Sequence, residues 1–274
     1  MKSLLKTEKY YRNGKKEYDV GENGILFFNF ALHLKIRTMG RAFEYRKARK
    51  FKRWGNMSRM FTRYGSEITM AVKEGGANPE YNTKLRAIIQ NAKSDNMPKE
   101  NIERAIKKAT DKDTADYKEV SFEGYAAHGI AVYVHCATDN NTRSVANIRS
   151  YFNKYNGSLG TNGSVSFMFD KKCVFIFKDT GQDVEELELE LIDFGAEEVF
   201  KNEDGIQVYG DFSSFGTLQK AIEEKGFEIT KADYDYLPNV ELKQLTPEEQ
   251  ADVDKLIEKI EDDDDVVRVY TTMA

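Results

Sequence analysis

The spacing of apolar residues changes near residue 110. Upstream, from Arg41 to Ala109, they recur every three or four positions. Met57 through Lys73 sets Met60, Phe61, Tyr64, Ile68, Ala71 and Val72 on one helical stripe, which Gly75-Gly76 ends. Asn82–Lys93 repeats the pattern with Leu85, Ile88, Ile89 and Ala92. A third helix buries Ile102, Ala105 and Ile106, with Asn96 as its expected N-cap and Pro98 just inside it. Arg46 to Trp54 predicts a further, basic helix with few apolar positions. Short helices joined by short turns predict a small bundle.

Past the polar stretch Thr110–Tyr117 the period becomes two. Lys118–Gly124 and Gly129–Ala137 predict strands, the second central, followed by a helix over Asn141–Tyr155 and a strand over Ser164–Phe169. This ββαβ set is incomplete by itself. A second unit follows: strand Cys173–Phe177, helix Val184–Phe194, strands Glu197–Lys201 and Ile206–Tyr209, helix Phe215–Lys225 and strand Glu228–Tyr234. The Asp204-Gly205 step suits a hairpin. Its βαββαβ order is that of a ferredoxin-like split unit. Thr246-Pro247-Glu248-Glu249 then opens a helix with Leu256 and Ile260 inward, and Val266–Tyr270 is a last strand. One helix plus one strand is what the first unit lacks. The expectation is therefore an α+β chain: an N-terminal helical bundle followed by two α+β ferredoxin-like domains, one inserted into the other. The expected limits are 39–112 for a basic helical domain, 117–172 plus 239–274 for one α+β domain, and 173–237 for the inserted one.

Charge sharpens the division. The net charge of −5 over 274 residues conceals +12 over residues 35–108, with 19 Lys/Arg against 7 Asp/Glu, and −19 over 109–274, with 16 against 35. A basic head on an acidic body suits a polyanionic partner for the head. Hydrophobic residues at 40 %, charged residues at 32 % and a mean hydropathy of −0.64 predict a soluble globular protein. Four Pro and two Cys exclude a collagen-like chain, a Pro-rich linker and a disulfide scaffold. Cys136 and Cys173 are expected as reduced thiols of a cytoplasmic protein. The apolar run Gly24–Ile36 falls short of the about 20 residues of a membrane span and contains His33 and Lys35. No small-residue cleavage site follows it, as a secretory signal would require. Residues 1–38 are expected to be an extension upstream of a start at Met39; a disordered tail and a targeting segment are the alternatives.

The cations of the head carry the main chemistry. Residues 35–63 hold eleven Lys/Arg against Glu44 alone. Arg41, Arg46, Lys47, Arg49, Lys50, Lys52, Arg53, Arg59 and Arg63 are the candidate phosphate contacts, since cations gain binding free energy by displacing condensed counterions. Phe43, Tyr45, Phe51 and Trp54 interleave with them, either to stack on unpaired bases or to bury in the bundle. Arg86, Gln90 and Asn91 could offer donors to base edges if the head were a helix-turn-helix reader. Asp139–Ser144 joins a strand to a helix: Thr142 and Arg143 could hold a second phosphate there, or Asn140 or Asn141 simply caps the helix. Gly157–Ser164 lacks the lysine of a phosphate-binding loop and suits a strand-entry turn. His135 beside Cys136 has no further ligand at zinc spacing and no G-x-S-x-G elbow occurs, while Asp262–Asp265 could attract Mg²⁺ but as a charge run before a strand better suits a solvated turn. Neither an enzyme nor a cofactor, membrane or small-molecule substrate is expected.

Several stretches resemble the YebC/PmpR family. They are Phe61-Thr62-Arg63, Ala71-Val72-Lys73-Glu74-Gly75-Gly76, Asn78-Pro79, Leu85-Arg86-Ala87 and Ala92-Lys93-Ser94-Asp95-Asn96-Met97-Pro98 in the head. Phe122-Glu123-Gly124-Tyr125, Asp139-Asn140-Asn141-Thr142-Arg143-Ser144-Val145 and Gly157-Ser158-Leu159-Gly160-Thr161-Asn162-Gly163-Ser164-Val165 follow in the family's order, from Met39 to about Thr271. The resemblance implies three domains and a cytoplasmic regulator of gene expression. Bacterial members are described as probable DNA-binding transcriptional regulators, and a mitochondrial relative as a translational activator, which implies DNA, or messenger or ribosomal RNA and the ribosome, as partner. The opening departs from the family's Gly-His-Ser-Lys-Trp: here it is Gly40-Arg41-Ala42-Phe43-Glu44, which keeps the basicity and puts a specific contact there in doubt.

Overall fold

A computed structural model describes residues 57–111 and 116–274, together with the backbone of two short strands, Tyr11–Arg12 and Lys15–Lys16, paired antiparallel. The chain divides after Phe43 into two compact units, and the elements below belong to the second. The helix expected over 46–54 and the apolar run 24–36 lie outside the described residues.

Three helices come first: α1 (Met57–Gly75), α2 (Thr83–Ser94) and α3 (Lys99–Thr110). Their stripes meet in a small core of Ile68, Ala71, Val72, Leu85, Ala92, Met97 and Ile102. Asn82 builds the α1–α2 corner. Its side-chain oxygen caps α2 by accepting from the Leu85 N–H (3.0 Å), and its Nδ2 donates to the carbonyls of Ala71 (2.7 Å) and Gly76 (2.8 Å). Asn96 is not the cap of the third helix. It sits at φ 62° and closes α2, with the Met97 N–H returning to the Ala92 carbonyl (2.8 Å), while Pro98 occupies the cap position. An asparagine tolerates this left-handed conformation, so it serves the end of one helix rather than the start of the next.

Beyond Tyr117 the order is β1 (Lys118–Tyr125), β2 (Ala131–Thr138), α4 (Asn141–Lys154), β3 (Ser158–Leu159), β4 (Phe169–Phe177), α5 (Val184–Ile192), β5 (Ala196–Asn202), β6 (Gly205–Asp211), α6 (Phe215–Glu224), β7 (Ile229–Pro238), α7 (Pro247–Glu261) and β8 (Val266–Thr271). Among the described residues these strands form two four-stranded antiparallel sheets, β8-β2-β1-β3 and β5-β6-β4-β7. The fold is α+β, and the second sheet is inserted in the first, because β8 completes the first sheet after the whole of the second has been threaded. β2 lies between β8 and β1 and is buried along its whole length. Thr246 and Glu249 make the expected capping box of α7, with Pro247 at its first position, and Leu256 and Ile260 of this helix are fully buried. At the β5–β6 hairpin Gly205 takes φ 126°, and a Cβ there would run into the carbonyl of Phe177.

The strand expected over Ser164–Phe169 is absent. Ser166–Met168 is a 3₁₀ turn, and Phe169 instead begins β4, which runs on through Cys173. The carboxylate of buried Glu123 is the reason. It accepts the N–H groups of Gly163 (2.8 Å), Val165 (2.7 Å) and Ser166 (2.8 Å), so those amides cannot enter a ladder. Burial opposes the Glu123 charge, but the three amides outweigh it and hold the carboxyl below its usual range.

Each sheet has its own core. Phe122, Val132, Val134, Cys136, Ile148, Phe152 and the inward face of α7 fill the first. Cys173, Phe175, Phe177, Leu191, Val208, Leu218 and Ile222 fill the second. Between the sheets Tyr133, Phe169, Tyr236 and Tyr270 form an aromatic layer, with Tyr133 and Tyr236 centroids 4.9 Å apart. Burying each such ring is worth about 1.5–3 kcal/mol, which joins the two sheets firmly.

Candidate nucleic-acid interface

Arg41, Arg46, Lys47, Arg49, Lys50, Lys52 and Arg53 lie outside the described residues, as do Phe43, Tyr45, Phe51 and Trp54. Arg59 and Arg63 are described and sit one turn apart on α1. Both reach the C-terminal end of α7. Arg59 pairs with the Asp262 carboxylate, and Arg63 Nη2 donates to the Glu261 carbonyl (2.7 Å). The last carbonyls of a helix carry partial negative charge, so this end attracts arginine twice over.

Thr142 is exposed in the first turn of α4, and Arg143 follows it. Asn140 caps this helix by accepting the Arg143 N–H (3.1 Å). The Arg143 guanidinium bonds both oxygens of Asp265 (2.8 and 3.0 Å) and Asp139 (2.8 Å). Ser144 Oγ donates to the same buried Asp265 (2.7 Å), as does Thr138 (3.1 Å). The network ties the start of α4 to the turn before β8. Arg143 therefore has two carboxylate partners within the protein.

Gln90 and Asn91 face inward rather than toward a groove of DNA. Gln90 Nε2 donates to the Ile229 carbonyl. Asn91 donates to the Ala232 carbonyl (2.7 Å) and accepts the Ala232 N–H (3.0 Å), so its amide continues the ladder at the open edge of β7. Arg86 remains exposed. Around this edge the helical unit meets both sheets through polar groups. Tyr64 donates to Asp95, and Lys231 lies 3.8 Å from the same carboxylate. Arg268 of β8 pairs with Asp233 of β7 beside Glu67 of α1. Burial pushes the Glu67 carboxyl up to about 7, against the pull of Arg268. Lys84 bridges Glu74 (2.9 Å) and Glu119 (3.3 Å), and hydrogen bonding from His135 helps bring the Glu119 carboxyl down to about 2.

Spacing alone had not singled out the outer face of α3. Arg104, Lys107 and Lys108 are exposed there, and Arg104 and Lys108 rim a shallow groove of about 250 Å³ floored by Phe61, Met97 and Ala105. Counting charge outside residues 35–63 was the signal that could have found them. Cys136 and Cys173 are buried free thiols, and burial raises both, Cys173 to about 11. No described helix is long and apolar enough to cross a membrane, and no cluster of three or more potential metal ligands occurs among the described residues.

Residues 41–112 match the TACO1/YebC protein N-terminal domain, and residues 117–273 match the TACO1/YebC second and third domain. A probable transcriptional regulatory protein of Flavobacterium psychrophilum is 64 % identical over 235 residues, 86 % of this chain and 99 % of that protein. One of Flavobacterium johnsoniae is 63 % identical over the same shares. The crystal structure of a conserved hypothetical protein from Aquifex aeolicus superposes with a TM-score of 0.69 at 35 % identity, covering 80 % of this chain and 90 % of that one.

Proposed function

The chain belongs to the TACO1/YebC family, and from that premise we propose that it is a cytoplasmic, non-enzymatic, DNA-binding regulator of transcription that grips phosphates through its basic helical head. One observation carries this reading: 19 cations against 7 anions over residues 35–108, on a body of opposite sign. Arg41, Arg46, Lys47, Arg49, Lys50, Lys52 and Arg53 provide the main grip. Arg59, Arg63 and Arg143 extend it where nucleic acid displaces their internal partners, exposed Thr142 adds a hydroxyl beside Arg143, and Arg104, Lys107 and Lys108 add charge on α3. Domain limits of 39–112, 117–172 with 239–274, and 173–237 go with this division of labour. The names of the bacterial relatives support a role in transcription.

A second reading is a translation factor that binds the ribosome or messenger RNA. The inward positions of Gln90 and Asn91 favour it, because they remove two candidate base readers and leave backbone charge and shape. Crosslinking in cells followed by sequencing separates the two: promoters support the first, ribosomal RNA the second.

Charge reversal of Arg46, Lys47, Arg49 and Lys50 together is expected to abolish binding with the circular dichroism spectrum unchanged. With six to ten phosphate contacts, the unaltered protein should lose about 10³–10⁵ in affinity between 50 and 200 mM salt. Equal affinity of the reversed variant would remove the head from the mechanism.

A further inference from the structure

The contact between α1 and the end of α7 is more than a strut. Asp263 and Asp265 of the acidic run are held within their own unit: Asp263 by Asn147 (3.1 Å) and Tyr151 (3.0 Å), Asp265 by Arg143, Ser144 and Thr138. Asp262 instead turns to the head. It sits at the C-cap of α7, where the helix end adds negative potential, and pairs with Arg59 beside the Arg63–Glu261 carbonyl bond. Two arginines on adjacent turns of one helix thus hold an anionic group and a carbonyl oxygen, much as they would hold a run of phosphate oxygens. The pair is open to water, with side-chain exposures of 35 % and 48 %, so salt and competing anions can reach it.

We infer that the end of α7 is an internal competitor for nucleic acid: Asp262 and the Glu261 carbonyl occupy Arg59 and Arg63 in the free protein, and phosphates displace them on binding. This rests on the nucleic-acid reading above and adds its regulation. Binding then costs the α1–α7 contact, which lowers affinity for weak, non-specific ligands and loosens the head from the body when a strong one is engaged.

The test uses the full chain and a fluorescent 20-base-pair duplex, with a single-stranded RNA of equal length in parallel, at 50–200 mM salt. Asp262→Asn is expected to bind about two- to fivefold more tightly than the unaltered protein. The gain should shrink as salt rises from 50 to 200 mM, because salt weakens the exposed Arg59–Asp262 pair that only the unaltered protein must break. Asp262→Ser should repeat the gain. Glu241→Gln makes the same change in net charge at an exposed carboxylate outside the contact and should bind as the unaltered protein does. If Asp262→Asn and Asp262→Ser bind no better than Glu241→Gln, the competition is overturned while the nucleic-acid reading stands. If the unaltered protein and all variants ignore both ligands at 50 mM salt, both ideas fall together.

Discussion

Tyr133, Phe169, Tyr236 and Tyr270 join the two sheets through packed rings beside the Arg268–Asp233 ion pair, whereas Asn91, Asp95, Lys84 and Arg59 join the helical unit to them through hydrogen bonds and ion pairs. The first junction draws mainly on apolar burial, which salt scarcely touches, and its Arg268–Asp233 pair is largely covered. The second draws on charge and on backbone groups at an open sheet edge, which salt and pH both reach. The contrast separates a body built to stay together from a head built to be negotiable. The cores agree with it: among the described residues the small core of the head holds no fully buried ring, whereas in the inserted sheet Phe175 and Phe177 pack against the rings of Phe215 and Phe227.

The largest effect should come from breaking the aromatic layer. Tyr133→Ala is expected to cost about 3–5 kcal/mol in urea unfolding, and the loss should be the same at 0.05 and 1 M salt. A loss that shrinks with salt would mean that charge, through the Arg268–Asp233 pair, outweighs the rings at this junction. Next comes Asn91→Ala, which strands the N–H and C=O of Ala232 at the β7 edge and should cost about 1–3 kcal/mol. Amide exchange at Ala232 should quicken while that at Phe175 stays slow. Unchanged exchange at Ala232 would mean that the head does not guard this edge.

The smallest effect is a dependence on pH. The Glu67 carboxyl titrates near 7 in the folded protein against an ordinary 4.5. The folded state therefore binds more protons between these values, and the contribution is full below 4.5 and lost as pH rises through 7. Glu67→Gln should flatten the fall in stability between pH 5 and 8. Glu198 in the inserted sheet, also raised to about 7 by burial, keeps its own share in both proteins. Parallel profiles for the variant and the unaltered chain would remove Glu67 from the junction.

The chain's local grammar told most of the fold. The three- and four-residue stripes placed α1 to α3, the Thr246-Pro247-Glu249 sequence placed the start of α7, and the missing helix and strand of the first unit predicted the insertion. What it could not tell were contacts made across long separations. Arg59 meets Asp262 some 203 positions away, and Asn91 meets Ala232 some 141 away, and no spacing rule encodes either. Asn96 shows the local limit as well, since one residue type serves equally as a helix start or a left-handed stop. For the candidate site, the basic stretch was plain from charge counting, while the internal partners of Arg59, Arg63 and Arg143 needed the fold.

The threading of β8 also has a consequence in time. During synthesis β2 emerges about 130 residues before the strand that flanks it, and at about 5–20 residues per second that is a wait of roughly 6–26 seconds. All four strands of the inserted sheet appear within that interval and can zip up first. The nascent first sheet must meanwhile keep one flank of its most apolar strand unpaired, so the ribosome-bound chain should call on chaperones at that stage and release them once Val266–Thr271 has left the tunnel.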